Sequence, residues 1–432
     1  MERLATLAPF ALATAALLVL RRRAASTLSA GRTLCLRHGL SIARGFLAEA
    51  SASPLPPKFA AWESVATQLA LLNRTGRLHA AVHGLPTLSV DERELDEPAL
   101  RRARVLLTCL AHSYVHGGRV PWAQLSEASA SSAAEGSPAP SAPALPALPA
   151  QLAVPWRQVS ARLELPLVLT ATEADLWNCE LDPAGCTPIQ AVACFRQLFT
   201  MTGTPSERGF HAVPHAMQLA LAPLTPALAS APALVARGDV RGMAELCAAL
   251  SAALKRVREV LERIYDEVGV REFYNVYRPL LGGWGDGLRL PASSEHGQAA
   301  TTAVCVGPSA GQSSIFFLVD LALGVSHGPK LAGFQAEMRS YVPGAHRRLL
   351  EEVEDGLRAA GGSLRTAAEA AGAGSELAAA HAAALDGLAK VRAYHMGVAV
   401  HYLKAALRGT GGSDFRSMLQ EGVRSTRAST VS

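Results

Sequence analysis

Aromatic side chains make up only 5% of this 432-residue chain, and β-branched runs are few. Alanine and leucine abound instead, a composition that favours helices. No alternation of strand-like and helix-like segments is present, which argues against a parallel-sheet architecture. Paired CxxC spacing is also missing. The seven cysteines (Cys35, Cys109, Cys179, Cys186, Cys194, Cys247, Cys305) form an odd set and read as reduced core thiols of an intracellular protein, not as a disulfide framework or a zinc site. There is no GxSxG elbow, HExxH helix, Rossmann fingerprint or phosphate loop ending in GK[ST]. His211 and His215 are four apart, but no third ligand stands at a suitable spacing. Finally, a general basic surplus is lacking. Of 41 basic and 36 acidic residues, positions 1–48 hold seven arginines and the single acid Glu2, so the remaining 34 and 35 nearly cancel. A near-neutral body offers no nucleic-acid footprint.

What is present is a large apolar fraction, 49%, enough for a substantial core and more than one domain. Residues 1–48 read as a leader. The apolar run Leu4–Leu20, interrupted by Pro9 and followed by Arg21, Arg22 and Arg23, fits two roles. An arginine- and serine-rich, acid-poor segment suits an organelle transit peptide, such as a mitochondrial one. The same run is at the short limit for a membrane anchor with the arginines on the cytoplasmic side. Residues 49–125 form a small helical domain with stripes at Trp62, Val65, Leu69, Leu72 and at Ala99, Ala103, Leu106, Leu110, Tyr114; Pro98 suits a first turn. Residues 126–150 are an Ala/Ser/Pro-rich insertion with no core-building period. Residues 151–432 make a large helical domain. Its longest stripe runs from Met243 through Leu250 and Val257 to Ile264. Another joins Leu385, Leu388, Val391, His395, Val398 and Tyr402, placing His395 on an apolar face.

Three segments carry the functional signal: Gly307-Pro-Ser-Ala-Gly-Gln-Ser-Ser-Ile-Phe-Phe-Leu-Val-Asp320, Val391-Arg-Ala-Tyr-His395 and Gly409-Thr-Gly-Gly-Ser413. Taken singly they are bland. His395 reads as a packed histidine, Arg392 as a solvated helix charge, Ser309 as a helix cap and the glycine-rich segment as a linker. In this order and at these separations, with Glu272-Phe273-Tyr-Asn-Val-Tyr-Arg278 through Trp284, Arg208-Gly-Phe210 and Met338 to Arg347, they resemble the indoleamine 2,3-dioxygenase family. These are haem enzymes that open the indole ring of tryptophan.

The resemblance implies an all-α fold with a small N-terminal and a large haem-binding domain. It also implies a dioxygenase turning L-tryptophan, or a related indoleamine, and O2 into N-formylkynurenine, the first step of the kynurenine pathway. His395 would be the proximal ligand of haem b iron, with Arg392 and Asp320 paired near a propionate and Gly307 and Ala310 allowing close approach to the flat cofactor. Phe210 and Phe273 would face the indole, Arg278 would hold the carboxylate, and Ser309 and Thr410 would line the substrate. No residue would act as general acid or base. An electron donor would keep the iron ferrous. The catalytic part would be a cytoplasmic monomer, with membrane contact only through the leader. The alternative is a haem or O2 carrier on the same fold. Four departures stand out: the 126–150 insertion, the short chain between the His395 helix and Gly409, Pro214 where the family often has a hydroxyl, and small and acidic side chains over Ala171–Asp175.

Overall fold

The computed structural model describes residues 25–49, 52–91, 93–122, 145–180, 185–403, 409–410 and 414–430. The Leu4–Leu20 run, the arginine triplet and all of the insertion before residue 145 lie outside them. Apart from one two-stranded antiparallel sheet, Leu288–Leu290 against Thr301–Ala303 with Leu288 opposite Ala303, the described elements are helical.

Helix α1 (Ala25–Arg37) requires a revision of the leader's extent. Cys35 and, beyond the helix, Leu40, Phe46 and Leu47 are buried. A Cβ on Gly31 would stand 1.9 Å from the Pro226 carbonyl oxygen, so this backbone lies directly on the segment around Pro226. Arg37 and His38 both reach Glu352, His38 at 2.9 Å. The seven arginines therefore do not all belong to a detachable leader, because the part from about Gly31 onward is built into the fold.

Helix α2 (Glu97–His116) starts where the Asp96 side chain accepts from Ala99 N, with Pro98 in the first turn. The expected single stripe understates its burial. Arg102, Arg104, Thr108, His112, Ser113 and His116 are buried as well. Each of those polar groups must then find a partner. Arg104 reaches Glu173 at 2.6 Å and the carbonyls of Pro166 and Val168 at 2.7 Å each, and it also bonds Ser160. Thr108 accepts from Trp156 Nε1, at 2.9 Å, on α3 (Ala150–Leu163). Buried side chains from both sides of the insertion form one continuous apolar cluster.

Helix α4 (Pro205–Leu221), capped by Thr204, runs against α5 (Val240–Glu262), capped by Asp239. Met243, Leu246, Cys247, Leu250, Leu254, Val257 and Leu261 are buried along α5, as its periodicity predicts. Helix α6 (Ser314–Leu323) carries Asp320, and α7 (Glu376–Tyr402), 27 residues and about 40 Å long, carries Arg392 and His395. Gly387 lets α7 close on α5, where a Cβ would meet Leu254 at 3.3 Å. Helix α8 (Phe415–Ala428) packs back along α7.

Candidate functional site

His395 stands apart from the other histidines. Among the described residues, eleven of the thirteen have a ring nitrogen within hydrogen-bond distance of a partner; His395 and the more peripheral His401 do not. Burial lowers the His395 pKa from its ordinary value, and the residue is part-buried on α7. A neutral imidazole with no protein partner is the form in which histidine donates to a metal.

One turn before it, Arg392 grips Asp320 through Nη2, at 2.8 and 2.6 Å to the two carboxylate oxygens. Its Nη1 donates to Thr426 on α8. His327 joins Asp320 at 3.3 Å through Nε2 and Ser425 at 2.6 Å through Nδ1. Burial alone would raise the Asp320 pKa, but the Arg392 charge and the bonds from His327 and Arg392 outweigh it and hold the carboxyl below the usual range. The pairing expected of Arg392 and Asp320 is present. His327, Ser425 and Thr426 were not among the expected residues, because a hydroxyl on an exposed-looking C-terminal helix gives no sequence signal.

Phe210 on α4 stacks on Phe273, with centroids 4.7 Å apart and planes at 28°. Phe273 in turn meets Tyr402 edge-on at 5.7 Å. Tyr402 lies seven residues beyond His395 on the same face of α7, so the aromatic pair and the imidazole share one helix wall. Phe273–Tyr277 is a π-helical turn, as is Thr172–Trp177; such turns widen the backbone and recur where side chains must be re-aimed. Arg278 follows the first of them, half-buried, with its guanidinium 5.2 Å from the Tyr274 ring centroid. His112 couples the two turns. It accepts from Leu169 N at 2.7 Å and donates to Leu280 O at 2.9 Å, so it must be neutral. Burial, with His116 next, pushes its pKa well below 6.5.

The small-residue segment is packed against the chain itself. Gly307 is required by the backbone, since a Cβ there would meet Leu281 O at 2.1 Å, and its N–H donates to Thr410 O at 3.0 Å. Ser309 caps the short turn Ala310–Gln312 through Gly311 N, and Ala310 is exposed. Close approach here is chain to chain. Thr410 hydroxyl donates to Pro308 O at 2.5 Å, which docks that residue on the segment. Gln312 accepts from Ala171 N at 2.9 Å, and Gln218 donates to Ser313 at 2.9 Å, tying the segment to the Thr172–Trp177 turn and to α4.

His211 and His215 do not face a common point. His211 Nδ1 lies 2.8 Å from Asp175 Oδ1 and its Nε2 bonds the Tyr277 hydroxyl, while His215 Nδ1 reaches the Asp175 carbonyl at 3.0 Å. The Asp175–His211–Tyr277 chain was not foreseen as a unit, since its members are separated by 36 and 66 residues.

Helix α7 thus carries an imidazole with no hydrogen-bond partner among the described residues, one turn from the Arg392–Asp320 pair and on the face that meets the Phe210–Phe273 stack through Tyr402. Residues 36–408 match the family described as indoleamine 2,3-dioxygenase, and the chain belongs to that family. It is 27% identical over 411 residues to indoleamine 2,3-dioxygenase 1 of Rattus norvegicus, covering 90% of this chain and 93% of that protein. It is 30% identical over 391 residues to 6-hydroxytryptophan 2,3-dioxygenase fscD of Fusarium equiseti, covering 88% of each. Indoleamine 2,3-dioxygenase 2 of Mus musculus is 27% identical over 407 residues, 89% of this chain and 92% of that one. Family membership makes the protein an oxidoreductase of the dioxygenase kind.

Proposed function

We propose that the protein binds haem b through His395 and uses dioxygen to cleave the C2–C3 bond of the indole ring of L-tryptophan or a close relative, giving N-formylkynurenine. The observation that carries this reading is the His395 imidazole, which has no hydrogen-bond partner among the described residues, set one turn from the Arg392–Asp320 pair in a chain of this family. The residues fit the cofactor. His395 would supply a neutral nitrogen donor to the iron, and Arg392, paired with Asp320, would offer a hydrogen bond to a propionate. When bound, haem supplies the dioxygen chemistry, with an external electron donor keeping the iron ferrous.

The chain's own work is positioning. Arg278 presents a planar fork to the amino-acid carboxylate. Phe210 and Phe273 offer ring faces to the indole. Thr410, whose hydroxyl bonds Pro308, would lie near the ammonium. Pro214 contributes no proton-transfer group, and the reading asks for none.

The test is an ultraviolet–visible spectrum of the protein loaded with haem, with and without L-tryptophan, followed by reduction and a product assay. A haem band, a tryptophan-dependent change and N-formylkynurenine are expected. Stable dioxygen binding without product would make the protein a carrier, and a colourless protein in excess haem would overturn the proposal.

A further inference from the structure

The chain Asp175–His211–Tyr277 has no part in the positioning scheme above, and each member is held in place. Tyr277 is fully buried and donates to His211 Nε2, and His211, 2% exposed, donates from Nδ1 to Asp175 Oδ1 at 2.8 Å. Its end is open. The Asp175 side chain is 18% exposed, in a turn whose other residues from Thr172 to Trp177 are buried. His211 occupies Oδ1, and among the described residues Oδ2 has no side-chain or backbone bond.

That space adjoins the aromatic pair. Phe210 precedes His211 on α4 and meets its ring edge-on at 5.3 Å; the Tyr277 ring lies 5.9 Å from Phe210. On α4, Phe210 and Pro214 are partly accessible between buried neighbours, and one turn further on Gln218 is partly accessible together with Met217 and Leu219. The Asp175 turn is tied to Gln312 through Ala171, and Gln218 is tied to Ser313. The accessible faces of both elements thus converge beside the Ser309–Ser313 segment.

A carboxylate oxygen on the wall of an aromatic pocket is a liability for an unsubstituted ring. Closing an indole over it strips its water and returns no hydrogen bond, and an unsatisfied buried acceptor is costly. A ligand with a donor at that edge turns the penalty into a charge-assisted hydrogen bond. We propose that Asp175, held by His211 and Tyr277, makes this site selective for tryptophan-type amino acids whose six-membered ring carries a hydrogen-bond donor, a hydroxyl or an amino group. The inference rests on the tryptophan-site reading above.

The experiment measures binding to the haem-loaded full chain by calorimetry and by perturbation of the haem spectrum. The ligands are L-tryptophan, its ring-hydroxylated positional isomers and, as size controls, the matching ring-methyl compounds. One hydroxylated isomer should bind about 10- to 100-fold tighter than L-tryptophan, the range for a hydrogen bond to a charged group, while its methyl counterpart does not. In Asp175→Ala that ratio should fall toward one; Asp175→Asn, which keeps an acceptor for His211, should lie between. Melting temperature and haem spectrum report whether each variant has folded, and the wild-type ligand comparison decides the matter even if neither has. If L-tryptophan binds as well as every hydroxylated isomer, or the ratio survives in Asp175→Ala, the selectivity claim is wrong and the site reading stands. If haem binds but no tryptophan derivative does, both fall.

Discussion

Replacing Asp320 with alanine should destabilise the protein through one identifiable pair. The carboxylate accepts two bonds from Arg392, at 2.8 and 2.6 Å, and one from His327 at 3.3 Å. Its removal leaves Arg392, 17% exposed, with Thr426 as its remaining side-chain partner. Breaking a buried pair from one side costs roughly 3–5 kcal/mol. Residual access to water on Arg392 favours the lower end, about 3 kcal/mol. With an unfolding entropy near 2.1 cal/mol/K per residue, a chain of this size loses roughly 3–4 °C of melting temperature. The assay is calorimetric unfolding of the haem-free protein, so that cofactor affinity does not enter. Arg392→Met should cost a comparable amount, and the double variant clearly less than the two together. The sign with pH follows from the depressed carboxyl. The Asp320 contribution is present above its unfolded value near pH 4 and disappears as pH falls through the folded value, so wild type and Asp320→Ala should converge in strong acid. A shift under 1 °C, or strict additivity in the double variant, would refute the reasoning.

The remaining predictions concern cofactor, acid stability and substrate. His395→Ala should purify without a haem band while keeping the wild-type far-ultraviolet circular dichroism; retained haem absorbance would exclude the proximal assignment. Burial pushes the pKa of His346 down to about 3 and of His116 to about 4, so the unfolded chain binds protons below pH 6.5 that the folded chain refuses. Folded stability is therefore full above about pH 6.5 and declines as pH falls toward 4, by up to about 1.4 kcal/mol per pH unit for each group. Denaturant titrations across that range should show the slope, and His346→Asn should reduce it. Arg278→Lys keeps the charge but loses the fork, and should weaken L-tryptophan binding about tenfold or more with an unchanged haem spectrum; an unaltered dissociation constant would move the carboxylate anchor elsewhere. Gly307→Ala must push Leu281 and Gly307 apart, for about 3 kcal/mol of stability, measurable as a lower denaturation midpoint.

Periodicity made much of the architecture legible. The stripes on α5 and α7 are buried where alternation of apolar residues placed them, because one face of each helix meets one neighbour. Helix α2 was harder to read. Its arginine and histidines look solvent-facing in a linear pattern, and only the distant Glu173, Leu169 and Leu280 that satisfy them explain why they are inside. The Arg392–Asp320 pair was readable because the resemblance joined two segments 72 residues apart. His327 and Thr426 were not, since no local pattern distinguishes them from surface polar residues. Gly307 was singled out for close approach, and the chain contact it makes with Leu281 could not be read from sequence, because a missing Cβ does not reveal what comes near it.

Thr426 and Ser425 lie on the helix that leaves the ribosome after every other described element. Asp320, His327 and Arg392 have all been synthesised by then, but the hydroxyls that hold the arginine and the histidine in register have not. A nascent chain can therefore assemble its aromatic wall early, while the brace around Arg392 and His327 closes only when Phe415–Ala428 arrives. Closing it is in this sense a late step of biosynthesis, and clipping that helix should free Arg392 and His327 before it unravels the bundle.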